Sequence, residues 1–282
     1  MTRKNCETNW AELAVAALFD DPTVKTVDDL YNCRLAETNP EYVNDLEGRK
    51  EERVKLYLAN LNKQLAKFNF EKVDRVIVLG KNQKVDPEIA EIQKGLDRKQ
   101  TKADVMVKFV DGRWIGISVK DSVGATLTNY SVEKILPTGK ELARVRLQVQ
   151  ESAGLPIDKQ DKDRRPQYNA CFKKENDYFN AVEKELDENR EEVLETWVKS
   201  MYPSEMPFDL FLFNGVTFTQ INRVVDTSDV QFTRIENPAK NSRGAAKMFY
   251  SVQVEGTGTY RWEIRWKGNT LQSPQILTHA VH

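Results

Sequence analysis

Apolar and polar positions alternate over residues 103–109, with Ala103, Val105, Val107 and Phe109 set against Asp104, Met106 and Lys108. A period of two predicts a strand. Asp111-Gly112 follows as a tight-turn dipeptide, and Trp114-Ile115-Gly116-Ile117-Ser118-Val119-Lys120 reads as the return strand of a hairpin. Such a hairpin brings Asp104 close to Ser118 and Lys120, which share one face because they stand two apart. Elsewhere the period is helical. Trp10, Leu13, Ala14, Ala17 and Leu18 mark a first helix ended by Asp20-Asp21-Pro22, and Thr26 caps a second. Residues 42–69 carry the strongest stripe: Glu47, Glu51, Val54, Leu58, Leu61, Leu65 and Phe68.

Asp74 to Gly80 reads as a short strand and Pro87 to Leu96 as a helix opened by proline. Asn129 to Leu136 reads as a short helix after a Gly/Ser/Thr-rich loop. Leu142, Val145 and Val149 mark a basic amphipathic helix, and residues 169–200 one long helix. From Phe208 the texture turns to strands: 208–213 closed by Asn214-Gly215, then 216–224, 230–235, 248–254 and 260–266. The sum is an α/β chain, with a mixed central β-sheet flanked by helices and a C-terminal β-rich region. Residues 1–200 are expected to hold the helical and catalytic core. Residues 201–282 are expected to complete the sheet and to contribute DNA recognition.

A carboxylate and a lysine at one sheet end suit phosphodiester hydrolysis. The carboxylate can hold a hard divalent cation that keeps some of its waters, and the cation polarises a phosphoryl oxygen and acidifies bound water. The ammonium of Lys120 can orient water or offset charge on the phosphorane. Ser118 stands where a second acid would be convenient, and Glu133 on the following predicted helix is a candidate to supply it.

Asp104, Ser118-Val119-Lys120 and Glu133 together resemble the PD-(D/E)xK nuclease superfamily, and type II restriction endonucleases in particular. Ala103 stands where that motif has proline, and Ser118 where it has its middle acid. The resemblance covers roughly residues 40–140. It implies Mg2+ held by Asp104, assisted by the backbone around Val119 or by Glu133. A glutamate on an early helix, Glu51 or its neighbour Glu52, is a further candidate for the metal site. It also implies double-stranded DNA as substrate, a homodimer on DNA for a double-strand cut, and a companion DNA methyltransferase as genetic partner. A repair or structure-selective nuclease on the same core is the alternative enzyme. A non-catalytic DNA-binding module, with Ser118 marking a decayed site, is the alternative outside enzymes.

Composition narrows the field little. Of 282 residues, Lys and Arg number 42 and Asp and Glu 43, so the chain lacks the basic excess that often marks nucleic-acid binding. Phosphate contacts depend on local charge, so this weighs only lightly. Cys6, Cys33 and Cys171 are scattered, and His279 and His282 sit at the end, where a terminal tail is expected. A zinc site and His-dependent hydrolase triads are therefore poorly supported. Neither a signal peptide nor a membrane span is legible, and a cytoplasmic protein is expected.

The second feature is the loop 237–247. Lys240, Asn241, Ser242, Arg243 and Lys247 fall in it among small residues. Arg and Lys can read guanine, and Asn adenine, in a major groove. The same loop also reads as a solvated connection. Lys140, Arg144 and Arg165 are candidates for DNA-backbone contact on the same terms.

Overall fold

The computed structural model describes residues 9–47, 49–68, 70–79, 86–92, 94, 103–121, 126–155, 177–201, 207–221, 230–235, 247–255, 258–265 and 274–281. The class is mixed α/β, with two five-stranded sheets. The chain forms two compact units, each made of two separated segments. The first comprises 1–125 and 203–223, the second 126–202 and 224–282. Where the sequence reading divides the chain near residue 200, the structure interleaves it.

The first unit opens with α1 (Asn9–Asp20), α2 (Val27–Asn32), α3 (Arg34–Thr38), α4 (Pro40–Leu46) and α5 (Glu51–Leu65). The stripe over 42–69 is thus two helices instead of one. The first of them ends at Leu46 and the second begins at Glu51, and the sequence between them contains glycine, a poor helix former. Every residue of α1 from Trp10 to Phe19 is buried, as expected of a helix that is apolar nearly all round. Thr26 caps α2 as expected: its Oγ1 accepts from Asp29 N at 3.1 Å, and Asp29 Oδ2 accepts from Thr26 N at 2.8 Å. This reciprocal capping box satisfies two end groups of a very short helix.

Then come β1 (Val73–Val78), α6 (Pro87–Ile92), β2 (Val105–Phe109) and β3 (Trp114–Val119). After the second unit's first segment, β5 (Asp209–Phe213) and β6 (Phe218–Ile221) finish the first sheet, in the order β1-β2-β3-β5-β6. The hairpin pairs Val105 with Ile117 and Val107 with Ile115. Gly112 takes a φ of 87°, a left-handed value that glycine adopts without a Cβ clash. β3 and β5 run parallel, and the other neighbours antiparallel.

All six residues of β3 are buried, as in a central strand covered on both faces. On one face Ile115, Ile117 and Val119 join the core formed with α1, α4 and α5. On the other, Met106, Trp114, Leu210 and Phe208 pack with Ile89 of α6. Gly116 belongs to this second face. A Cβ there would lie 2.5 Å from the Phe208 ring, so only glycine lets that ring close down on the strand.

The second unit contains β4 (Thr126–Ser131), α7 (Val132–Ile135), α8 (Gly139–Ser152), α9 (Asp177–Glu188) and α10 (Arg190–Met201). β7 (Val230–Ile235), β8 (Lys247–Val254), β9 (Gly258–Arg265) and β10 (Gln275–Val281) complete it. The sheet order is β4-β10-β9-β8-β7, antiparallel throughout. Three expectations are corrected here. Residues 126–131 are a strand, and only 132–135 are helical. The helix expected over 169–200 is broken at Asn189, between α9 and α10. His279 is no tail residue: it lies on β10, buried, with Nε2 3.6 Å from Glu263 Oε2 on β9. The Gln275–Val281 strand escaped the sequence reading because Thr278 and His279 interrupt its apolar pattern.

Candidate active site

Asp104 stands one residue before β2, where the backbone leaves the regular ladder but keeps its bonds. Its N–H donates to Ile117 O at 2.8 Å, and its carbonyl accepts from Leu79 N at 2.9 Å. The side chain is therefore carried by backbone tied on both sides. Its Oδ2 accepts from Val119 N at 2.7 Å and, at the long limit of 3.5 Å, from Ser118 Oγ. An N–H bond to a carboxylate is about twice as strong as a neutral one.

Lys120 completes the cluster. Its Nζ lies 3.6 Å from Asp104 Oδ2, with 19% of the lysine side chain and 31% of the aspartate side chain exposed. The pair is thus half-sheltered yet open to a substrate. Asp104, Ser118, Val119 and Lys120 come together as the hairpin register requires, on one unit of the fold.

The remaining expected acids do not join them on that unit. Glu51 sits in the exposed first turn of α5 and pairs with Lys55 at 2.6 Å on the same helix. Glu133 belongs to the second unit, on α7. There its carboxylate takes Arg146 Nε at 2.6 Å, Arg146 Nη2 at 3.3 Å and the Tyr178 hydroxyl at 3.3 Å. Arg146 and Glu133 are each about nine-tenths buried, so this is a helix-to-helix ion pair inside a core. Lys240, Asn241, Ser242 and Arg243 lie outside the described residues, as does Arg165. Lys247 is the first residue of β8. Arg144 pairs with Glu141 at 2.8 Å on an exposed helix face.

α1 contributes a buried acid to the same unit. Glu12 is buried, 9% exposed, and is the only charged residue of its helix before Asp20. Two buried phenols neighbour the acids of this unit. Burial pushes the Tyr42 hydroxyl well up, helped by nearby Glu12, to which it also hydrogen-bonds, and by Asp104. Burial likewise pushes Tyr57 well up, with Asp121, Asp104 and Glu12 adding to it. Both phenols therefore stay neutral hydrogen-bond donors.

Among the described residues, no group of three or more His, Cys, Asp or Glu is placed to hold a metal ion. Asp104, with about a third of its side chain exposed, is the carboxylate that the cluster offers to a cation. That fits a hard cation which keeps most of its waters, and does not fit a fully protein-built cage.

The sequence reading missed Glu12, and the signal lay in the pattern: a single carboxylate inside an otherwise apolar helix. It also missed the α5 side chains beside the site. Tyr57 donates to Lys120 O at 3.1 Å, and Arg53 pairs with Asp121 at 2.8 Å. No helix among the described residues is long and apolar enough to cross a membrane. Comparison with protein-family models, with curated proteins and with solved structures finds no match.

Proposed function

We propose that this chain is a divalent-metal-dependent nuclease of the PD-(D/E)xK kind that hydrolyses DNA phosphodiester bonds. The observation that carries the reading is the convergence of Ser118 Oγ, Val119 N and Lys120 Nζ on a single oxygen, Asp104 Oδ2. A mixed sheet flanked by helices, with the acid and the lysine at neighbouring ends of two adjacent antiparallel strands, supports it.

Asp104 would hold Mg2+, and Glu12, the buried acid beside the Tyr42 phenol, is the candidate for a further ligand. Among the described residues the hydrogen bonds and the ion pair of Asp104 gather on Oδ2. The bound ion supplies Lewis-acid stabilisation of a phosphoryl oxygen and an acidified water. The Val119 amide and Ser118 hydroxyl fix the Asp104 rotamer before substrate arrives. Lys120 brings a positive charge to the place where charge develops on the phosphoryl oxygens as water attacks phosphorus and the 3′ oxygen leaves. Glu133 is not assigned to the metal in this reading, because Arg146 and Tyr178 already occupy its carboxylate.

Within this class we favour a site-specific endonuclease on double-stranded DNA, acting as a homodimer so that two sites cut two strands. The test is digestion of long unmethylated DNA with Mg2+, with sequencing of the ends. Discrete fragments sharing one end sequence support site-specific cleavage. A ladder starting from free ends or branch points points to a repair or structure-selective nuclease instead. Retained DNA affinity with no cutting under Mg2+ or Mn2+ would reject catalysis.

A further inference from the structure

α5 carries Arg53, Tyr57 and Asn60, spaced four and three residues apart and so on one helix face. All three reach the backbone beside the candidate lysine. Tyr57 Oη donates to Lys120 O at 3.1 Å. Arg53 Nη2 donates to Asp121 O at 3.3 Å and to Asp121 Oδ2 at 2.8 Å. Asn60 Nδ2 donates to Gly215 O at 2.9 Å. From the strand on the other side, Phe213 O accepts from Lys120 N at 2.7 Å.

Lys120 is thus held at both its backbone N–H and its carbonyl, and Arg53 holds the next residue. The holding groups are themselves fixed. The Tyr57 ring is buried, edge-on to Trp10 at 4.9 Å and to Phe213 at 4.8 Å between centroids. The Arg53 guanidinium lies 5.5 Å from the centre of the Trp10 ring. Gly215, at φ 87°, brings the β5–β6 turn against the same place: a Cβ on it would lie 3.2 Å from the Tyr57 ring and 3.5 Å from Asp121 O. A strand that had merely ended would need none of these ties.

We infer that Tyr57 and Arg53 are positioning residues for Lys120: they fix the backbone from which its ammonium reaches Asp104. Neither acts on the phosphate; both act through the lysine. The inference deepens the nuclease reading at the same site, and only the rate arm of its test rests on that reading.

Tyr57→Phe removes one hydroxyl and keeps the ring; Arg53→Gln removes the ion pair. Lys55→Gln, on the exposed side of the same helix, is the control. Each is compared with the wild type well below its melting temperature in two measurements. One is kcat and KM for cleavage of long duplex DNA in Mg2+. The other is the acetylation rate of Lys120 by dilute acetic anhydride, read by peptide mass spectrometry against the other lysines.

A small displacement of a reacting group can cost up to about a hundredfold, so kcat is expected to fall about tenfold in Tyr57→Phe with KM within about twofold. Lys120 acetylation is expected to rise by a factor of about three as the half-sheltered amine is released, while Lys55→Gln changes neither measurement. A change at Lys120 in either variant supports the positioning role. An unchanged Lys120 rate in both overturns it, whatever happens to cleavage or melting temperature. If the wild type cuts no DNA but Lys120 still responds, the positioning stands and the nuclease reading falls. Should Tyr57→Phe not fold, Arg53→Gln supplies the same two measurements.

Discussion

The amide of Val119 donates to Asp104 Oδ2 across the hairpin at 2.7 Å. This bond ties the acid at the start of one strand to the end of the next, one residue before Lys120. The geometry of the acid–lysine pair is therefore a property of the hairpin register and not of two independent side chains.

Asp104→Asn keeps an oxygen for the Val119 amide but loses the charge. DNA cleavage is expected to fall by a factor of about 10² to 10³, with Lys120→Ala falling as far, because each removes charge stabilisation at the reacting group. Melting temperatures should stay close to the wild type. Plasmid cleavage in Mg2+ checks this, and wild-type-like cutting by either variant would remove Asp104 and Lys120 from the site.

Glu12→Gln is expected to weaken Mg2+ or Mn2+ binding at least about tenfold, in line with the loss of one of few carboxylate ligands. Glu51→Gln, on an exposed turn paired with Lys55, should bind as the wild type does. Isothermal titration of the two variants with Mn2+ separates them. Equal affinities would return α1 to a purely structural role.

Glu133→Ala leaves Arg146 charged and buried without its carboxylate. Breaking a buried pair from one side costs about 3 to 5 kcal/mol. The variant should show early unfolding in urea, whereas a ligand role would appear as lost metal binding at unchanged stability. Combining urea melts with Mn2+ titration tells the two apart.

Gly116→Ala places a methyl 2.5 Å from the Phe208 ring and 2.9 Å from the Ala103 Cβ. Overpacking of this kind costs about 1 to 3 kcal/mol. The denaturation midpoint should fall accordingly. A midpoint equal to the wild type would mean that Phe208 moves aside freely.

Tyr57 predicts an alkaline limit. Burial holds its phenol well above the usual value near 10 in the folded chain. The unfolded chain ionises first, so the stabilisation is complete below about pH 10 and is lost as pH rises beyond it, at up to about 1.4 kcal/mol per pH unit for this group. Tyr57→Phe should flatten that part of the stability-against-pH curve. An unchanged slope would show that the phenol is not protected.

The hairpin was legible because its information is local: alternation over 103–109 broken only by Met106, a turn dipeptide, and a return run whose register follows from the turn. That alone put Asp104 beside Ser118 and Lys120. The capped start of α2 at Thr26 was legible for the same reason.

What lies far apart in sequence was decided by packing. Glu12 lies in the same unit as Asp104 because α1 packs on the sheet, and no spacing rule links position 12 to position 104. Glu133 has the local look of a ligand, yet Arg146 and Tyr178, arriving from two other helices, turn it into a core ion pair. Likewise Tyr57 stood outside the apolar stripe read over 42–69, and only the fold set its hydroxyl against Lys120. Local chain statistics reach only a few residues either way, so the sequence determined the strands, the turn and the acid–lysine pair they present. Which further side chains surround that pair follows from how distant helices bury their apolar faces, and only the tertiary structure decided it.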